Sequence, residues 1–203
     1  MKRITFLLRA LPGQTGTAER NLKAHADALK ALMAGHGVKN FSIWGVSDLF
    51  FGYGEEGEDF DLMAEARQYF AGLEPLCLPG TMRLMYHDIG IVREDKSLIR
   101  HRVFATHLKP GCAEEYKRRH DGLIAARGDS VSEGPDSDFT IWYGAGYIFG
   151  YCEKVKAFDH EMIEEERADT VAWETRQLEI MDWLTDDVDW MTGEKHEAIR
   201  RVL

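Results

Sequence analysis

Proline and cysteine are both scarce in this sequence, at 5 and 3 of 203 residues. With 19 glycines alongside so little proline, a collagen-like or disordered chain is excluded. The three cysteines, Cys77, Cys112 and Cys152, are odd in number and share no C-x-x-C spacing. That excludes a disulfide scaffold and fits a reducing compartment. No apolar run approaches the roughly 18 residues of a membrane span. The opening Ile4-Thr-Phe-Leu-Leu8 mimics a signal segment, but Arg9 interrupts it. Basic residues are the minority, 25 Lys and Arg against 35 Asp and Glu, for a net charge of −10. That balance argues against a general binder of nucleic acid or anionic membrane, which a negative chain meets with long-range repulsion. The expectation is a soluble, cytoplasmic protein.

What is present is a globular composition, 44% hydrophobic and 30% charged, over a length that suits one medium domain or two of about 100 residues. Self-similarity decides between them. Phe41-Ser-Ile43-Trp44-Gly-Val-Ser-Asp-Leu-Phe-Phe51-Gly52-Tyr53-Gly-Glu55 aligns without a gap on Phe139-Thr-Ile141-Trp142-Tyr-Gly-Ala-Gly-Tyr-Ile-Phe149-Gly150-Tyr151-Cys-Glu153, with seven of fifteen positions identical. Upstream, Arg3-Ile-Thr-Phe6 through Pro12-Gly13 echoes Arg102-Val-Phe104 through Pro110-Gly111. Each Pro-Gly leads to a charged stretch that reaches a histidine, His25 or His120. The chain therefore reads as two tandem copies of one unit, spanning 1–95 and 100–203.

Periodicity orders the elements within a unit. A strand (Ile4–Leu11; Val103–Lys109) ends at the Pro-Gly turn. A helix follows, with Leu22, Ala26, Leu29 and Leu32 at helical spacing in the first copy. In the second, about Ala113–Ala126, Tyr116, His120 and Ile124 form an i, i+4, i+8 row. Two strands come next (Asn40–Trp44 with Phe50–Gly54; Phe139–Tyr143 with Tyr147–Cys152). A second helix (Phe60–Leu73; about Phe158–Leu184) and a last strand (Met82–His87; Glu197–Leu203) complete the unit. The order βαββαβ is that of a ferredoxin-like α+β unit. Both helices of such a unit cover one face of its antiparallel sheet, so two units tend to pair through the other. The expected architecture is an intrachain dimeric α+β barrel.

The stretch Pro110-Gly-Cys-Ala-Glu-Glu115-Tyr116-Lys-Arg118-Arg119-His120 resembles the signature of the L-rhamnose mutarotase family, as do the strands Asn40-Phe41-Ser-Ile43-Trp44 and Asp138-Phe139-Thr-Ile141-Trp142. The resemblance is closer in the second copy. It implies a single-unit enzyme that dimerises as an α+β barrel, here fused into one chain, with further homo-oligomers left open. It implies interconversion of the α and β anomers of a reducing sugar without cofactor or metal. Carried over residue by residue, it makes His120 the proton donor, with His25 as its counterpart, and Tyr116 a sugar contact. The family's strand tyrosine is replaced by Phe41 and Phe139, which puts the identity of the sugar in doubt. The family's tandem tryptophans correspond to Tyr69 and Phe70 in the first copy and to Trp173 or Trp183 in the second. The first copy has Asn21 where the helix tyrosine would be and lacks the arginine pair.

The residues also argue for themselves. Mutarotation takes a proton off the anomeric hydroxyl and puts one on the ring oxygen, and an imidazole suits both tasks. Arg118 and Arg119 carry permanent charge. They bind a sugar group, or pair with Glu114, Glu115 and the acidic second helix. Trp44, Trp142, Tyr53 and Tyr151 offer aromatic faces to a pyranose, although strand alternation lets only part of the set face one pocket. Arg9 and His107 hold equivalent positions three residues before a proline, a place suited to a wet cleft. His101 and His107 lack a further ligand at metal spacing. Gly144-Ala-Gly146 sits between strands, not at a helix start, which excludes a dinucleotide fingerprint. The acidic run Glu161–Glu166, with Asp186, Asp187 and Asp189, reads as a solvated face. Two other readings stay open: another dimeric-barrel enzyme such as a cofactor-free monooxygenase, and an inactive ligand-binding or assembly protein.

Overall fold

The computed structural model describes residues 2–131, 136–156, 163–184 and 199–203. In Arg3–Ala10 (β1), alternation places Ile4, Phe6, Leu8 and Ala10 on one face, and all four enter one core cluster. The strand ends at Pro12-Gly13, where Gly13 takes a φ of +75°, a region open to glycine. Helices α1 (Thr15–Ala24) and α2 (Ala26–Gly35) meet at His25 and deliver Leu22, Leu29 and Met33 to that core. A hairpin follows, β2 (Val38–Val46) and β3 (Leu49–Glu56). The single turn α3 (Leu62–Glu65) is capped by Asp61, whose carboxylate accepts from the Ala64 N–H at 3.0 Å. Strand β4 (Leu73–Cys77) then runs back beside β1.

The second half repeats this order. Strand β5 (Arg83–Asp88) and a 3-10 turn at Lys96–Leu98 lead to β6 (Ile99–Leu108) and one unbroken helix, α4 (Ala113–Arg127). The hairpin β7 (Asp136–Gly144) and β8 (Tyr147–Val155) precedes α5 (Glu164–Gln177) and β9 (Met181–Trp183). Strand β10 (Arg200–Arg201) ends the chain. Two antiparallel five-stranded sheets result, β10-β2-β3-β1-β4 and β5-β7-β8-β6-β9. Apart from the strand at the β2 or β7 edge, each has the strand order compatible with a ferredoxin-like unit. The chain divides into two compact units, Met1–Met82 with Ile199–Leu203, and Arg83–Ala198.

Local detail repeats as well. The β2–β3 and β7–β8 ladders both shift register, at Lys39/Ser42 and Ser137/Thr140, beside the positive-φ residues Asn40 (48°) and Asp138 (49°). Phe6 lies over Gly52 and Phe104 over Gly150, so closely that a Cβ on either glycine would come within 2.0 and 1.9 Å of the ring. The Trp44 Nε1 donates to Ser42 Oγ, and the Trp142 Nε1 to Thr140 Oγ1, both at 2.9 Å.

Several elements differ from expectation. The strands expected at Met82–His87 and Glu197–Leu203 do not close their own sheets. As β5 and β10 they pair with β7 and β2, so the strand read as closing each sequence copy lies in the sheet of the other copy. The closing places are taken by β4 and β9, short returns that reach the free edges of β1 and β6 directly after the helical segment. Ion pairs fix each added strand to a first helix: Arg83–Glu114 and Arg127–Asp88 (2.6 Å) hold β5, and Arg200–Glu19 (3.1 Å) holds β10.

The helix expected over Phe60–Leu73 is only the turn α3. Beyond it, Tyr69 and Phe70 bond three residues back, to Ala66 at 2.8 Å and Arg67 at 3.2 Å, a tighter winding that carries Phe70 into the core. The first helix is broken at His25 instead of continuous. Of the positions expected to carry the start of the second unit's second helix and last strand, Phe158 and Glu197 lie outside the described residues, as do Glu161, Asp186, Asp187 and Asp189.

Candidate functional site

The i, i+4 spacing on α4 puts Tyr116 and His120 on one buried face, 2% and 4% exposed. The His120 Nδ1 lies 2.9 Å from the Tyr116 carbonyl oxygen. A carbonyl only accepts, so Nδ1 carries the hydrogen and Nε2 keeps a lone pair. Three aromatic rings hold the imidazole: Tyr116 stacked at 4.2 Å, Tyr86 edge-on at 5.4 Å and Trp173 edge-on at 5.3 Å. Burial pushes the His120 pKa down to about 4, and the Tyr116 carbonyl only partly offsets this. The ring is therefore neutral near pH 7. Burial, reinforced by the charge of Glu174, raises the Tyr116 phenol far above its ordinary range, so its hydroxyl stays a proton donor.

Tyr116 and His120 line a cavity of about 200 Å³ within the second unit. Pockets for drug-sized ligands run to about 300–1,000 Å³, so this one suits a smaller occupant. The sheet supplies its floor, with Phe104 and Arg102 from β6 and Phe139 and Ile141 from β7. Strand β5 adds Tyr86, and β9 adds Met181 and Trp183. Helix α5 contributes Trp173, Glu174 and Gln177, which the helical period groups on one side. His120 and Glu174 are the lining residues with an imidazole or a carboxylate, fewer than the three protein ligands of a catalytic zinc site.

Of the residues singled out from sequence, Tyr116, His120, Phe139 and Trp183 line the cavity, with Trp183 on β9 and not on a helix. Trp173, the other candidate for the tryptophan pair, is also there. Trp142 is not among the lining residues. It follows Ile141 on β7, and alternation turns it to the opposite face. His107 is half-buried and packs edge-on against Tyr147 at 5.2 Å. Arg119 donates to Glu115 (2.7 Å), Glu179 (2.8 Å) and the Arg176 carbonyl, which ties α4 to α5. Arg118 pairs with Glu115 within its own helix.

In the first unit, His25 is exposed, with Nδ1 2.9 Å from the Asn21 carbonyl and the Tyr69 ring at 5.6 Å. Asn21 donates from Nδ2 to the Tyr69 carbonyl at 2.8 Å. Phe41 and Phe70 are buried in the core, with Tyr69 packed against it. Trp44 is buried, its neighbours Ser42 and Arg201 lying on the same strand and on β10. Tyr53 and Tyr151 are fully buried, with hydroxyls on Glu55 (3.3 Å) and Glu153 (3.0 Å). Arg9 pairs with Asp48 at 3.3 Å.

Sequence reasoning missed Tyr86, Arg102, Phe104, Glu174 and Gln177. For the α5 pair a signal existed, since Gln177 lies one helical turn beyond Trp173. For Tyr86 the topology hides it, because its place in the repeat puts its strand in the first copy, whereas it pairs with β7.

No curated protein matches the chain. A family model described as L-rhamnose mutarotase matches residues 101–202, 102 of the 203. The matched half contains His120, Tyr116 and every cavity-lining residue except Tyr86. No helix among the described residues is long and apolar enough to cross a membrane. The chain belongs to the L-rhamnose mutarotase family, whose activity is of the isomerase type.

Proposed function

We propose that the second unit interconverts the α and β anomers of L-rhamnose or a closely related reducing sugar, with His120 moving the protons. The observation that carries this reading is a buried, neutral imidazole on a cavity wall, with Nδ1 fixed to the Tyr116 carbonyl. Nε2 is thereby the nitrogen left for a ligand.

Nε2 takes the proton of the anomeric hydroxyl as C1=O forms and the bond from C1 to the ring oxygen breaks. The imidazolium then gives that proton to the departing ring oxygen, so the open-chain aldehyde is neutral and the histidine is regenerated. Rotation about C1–C2 followed by the reverse transfers closes the ring on the other face. An imidazolium whose pKa is held near 4 is a strong proton donor for the second transfer, while the neutral form stands ready for the first. Tyr116, kept protonated by burial, donates a hydrogen bond to a sugar hydroxyl. The rings of Phe104, Phe139 and Trp173 offer apolar faces to the C–H side of the pyranose.

This reading treats the two units as tandem copies, supported by the matched bulges, the ring-over-glycine contacts and the Trp–hydroxyl bonds. It assigns the catalytic site to the second copy alone. Saturation-transfer NMR on L-rhamnose tests it. The protein is expected to accelerate exchange between the anomeric resonances, and unaccelerated exchange across a panel of reducing sugars would overturn the reading.

A further inference from the structure

Gln177 is 1% exposed, yet neither its amide oxygen nor its amide nitrogen has a hydrogen-bond partner among the described residues. Buried polar atoms are nearly always paired, because an unpaired one loses its water without compensation. Gln177 also lines the cavity that holds His120. We propose that Gln177 is a specificity-determining residue of this site, its amide reading one or two ring hydroxyls of the sugar. This rests on the mutarotase reading of the cavity and names a contact within it.

The chemistry of the amide suits that role. It presents an acceptor and two donors in one plane, and a hydroxyl both donates and accepts. An adjacent pair of ring hydroxyls can therefore bond to the oxygen and the nitrogen together. An aliphatic group could meet none of that set, and an ionic group only part of it.

The backbone that carries the amide is tied to α4. Arg119 donates to the carbonyl of Arg176, immediately before Gln177, and to the carboxylate of Glu179, two residues after it. The Arg119 side chain is itself 6% exposed, although its partner Glu179 is open to solvent. One turn back along α5, Trp173 meets the edge of His120. A hydroxyl seated on Gln177 is thus positioned by the same helix that packs the catalytic imidazole.

The test measures dissociation constants for L-rhamnose and for its three analogues lacking the hydroxyl at C2, C3 or C4, with the full chain and with Gln177→Met. Methionine keeps the length and removes both polar atoms. In the parent, at least one analogue is expected to bind about tenfold or more weakly than L-rhamnose, because its absence strands the amide. In Gln177→Met that ratio falls to about one. The ligand-free variant is expected to melt at the parent temperature or above it, since no buried bond is lost. A residue with a structural role would lower the melting temperature.

The inference is overturned if the ratios are the same in both proteins, or if the variant melts lower while its pattern of sugar binding is intact. A ratio that collapses in the variant while neither protein accelerates anomer exchange keeps Gln177 as a hydroxyl reader and removes the mutarotase activity. If none of the four sugars binds the parent, both fall.

Discussion

His25 and His120 make the same local bond. Each Nδ1 sits 2.9 Å from the carbonyl four residues earlier, at Asn21 and Tyr116. Yet His120 lies buried on a cavity wall and His25 is exposed at the junction of two short helices. The bond itself, then, does not make a site. What differs is the surroundings. In the first unit Phe6 packs against Phe41 and Phe70, at 6.4 and 6.0 Å, with Leu22 and Leu29 in the same core. In the second, Phe104 and Phe139 stay partly exposed, and the space above them is the cavity. The same frame supports a filled interior in one half and an accessible one in the other.

The sharpest way to break this comparison is to remove each imidazole in turn. His120→Gln is expected to slow anomer exchange by about two to four orders of magnitude, the range for loss of a general acid–base. His25→Gln is expected to leave the rate within about twofold of the parent. Equal losses from the two substitutions, read by saturation-transfer NMR on L-rhamnose, would show two working sites and end the asymmetry.

The next test truncates the equivalent phenylalanines. Phe41→Ala opens a hole in a closed core and is expected to cost about 3–5 kcal/mol in urea unfolding. Phe139→Ala enlarges a cavity that already exists, so a cost of roughly 1–2 kcal/mol is expected, together with weaker sugar binding. Equal costs would mean that the two interiors are packed alike.

Much of this contrast could be read from the sequence, and part could not. The repeated Phe-x-Ile-Trp strands, the Pro-Gly turns and the Tyr116/His120 spacing point to the α+β order and to the lining residues Tyr116, His120 and Phe139, since each is a local pattern. The strand pairing at the sheet edges was not local. Arg83–Asp88 and Arg200–Arg201 pair with β7 and β2, over distances in sequence that no periodicity records. That pairing brings Tyr86 to the cavity with no local pattern to mark it. Exposure was equally hidden, because Phe41 and Phe139 are the same residue in the same pattern, and only the packing around them differs.

Acidity probes the burial on which the comparison rests. The folded protein holds His120 neutral down to a pKa of about 4, while an unfolded chain takes up that proton near 6.5. Between those values the unfolded state binds more protons, so stability is expected to rise with pH and to be lost as pH falls from 6.5 toward 4. The difference between the two pKa values sets the ceiling at about 3 kcal/mol. Urea unfolding at a series of pH values, with parent and His120→Gln side by side, isolates it. The variant should lack this part of the slope, and parallel curves would mean the imidazole is hydrated in the folded state.

The smallest effect is expected where the two units agree. Trp44 and Trp142 each donate to a hydroxyl two residues earlier, at the same 2.9 Å, from a buried strand position away from the cavity. Ser42→Ala and Thr140→Val each remove one acceptor with little change of shape, so each is expected to cost about 1 kcal/mol of unfolding free energy. Anomer exchange should be unchanged in both, because neither residue borders the cavity. A loss of exchange in Thr140→Val alone would show that the frame, and not only the filling of its interior, has become specialised in the second unit.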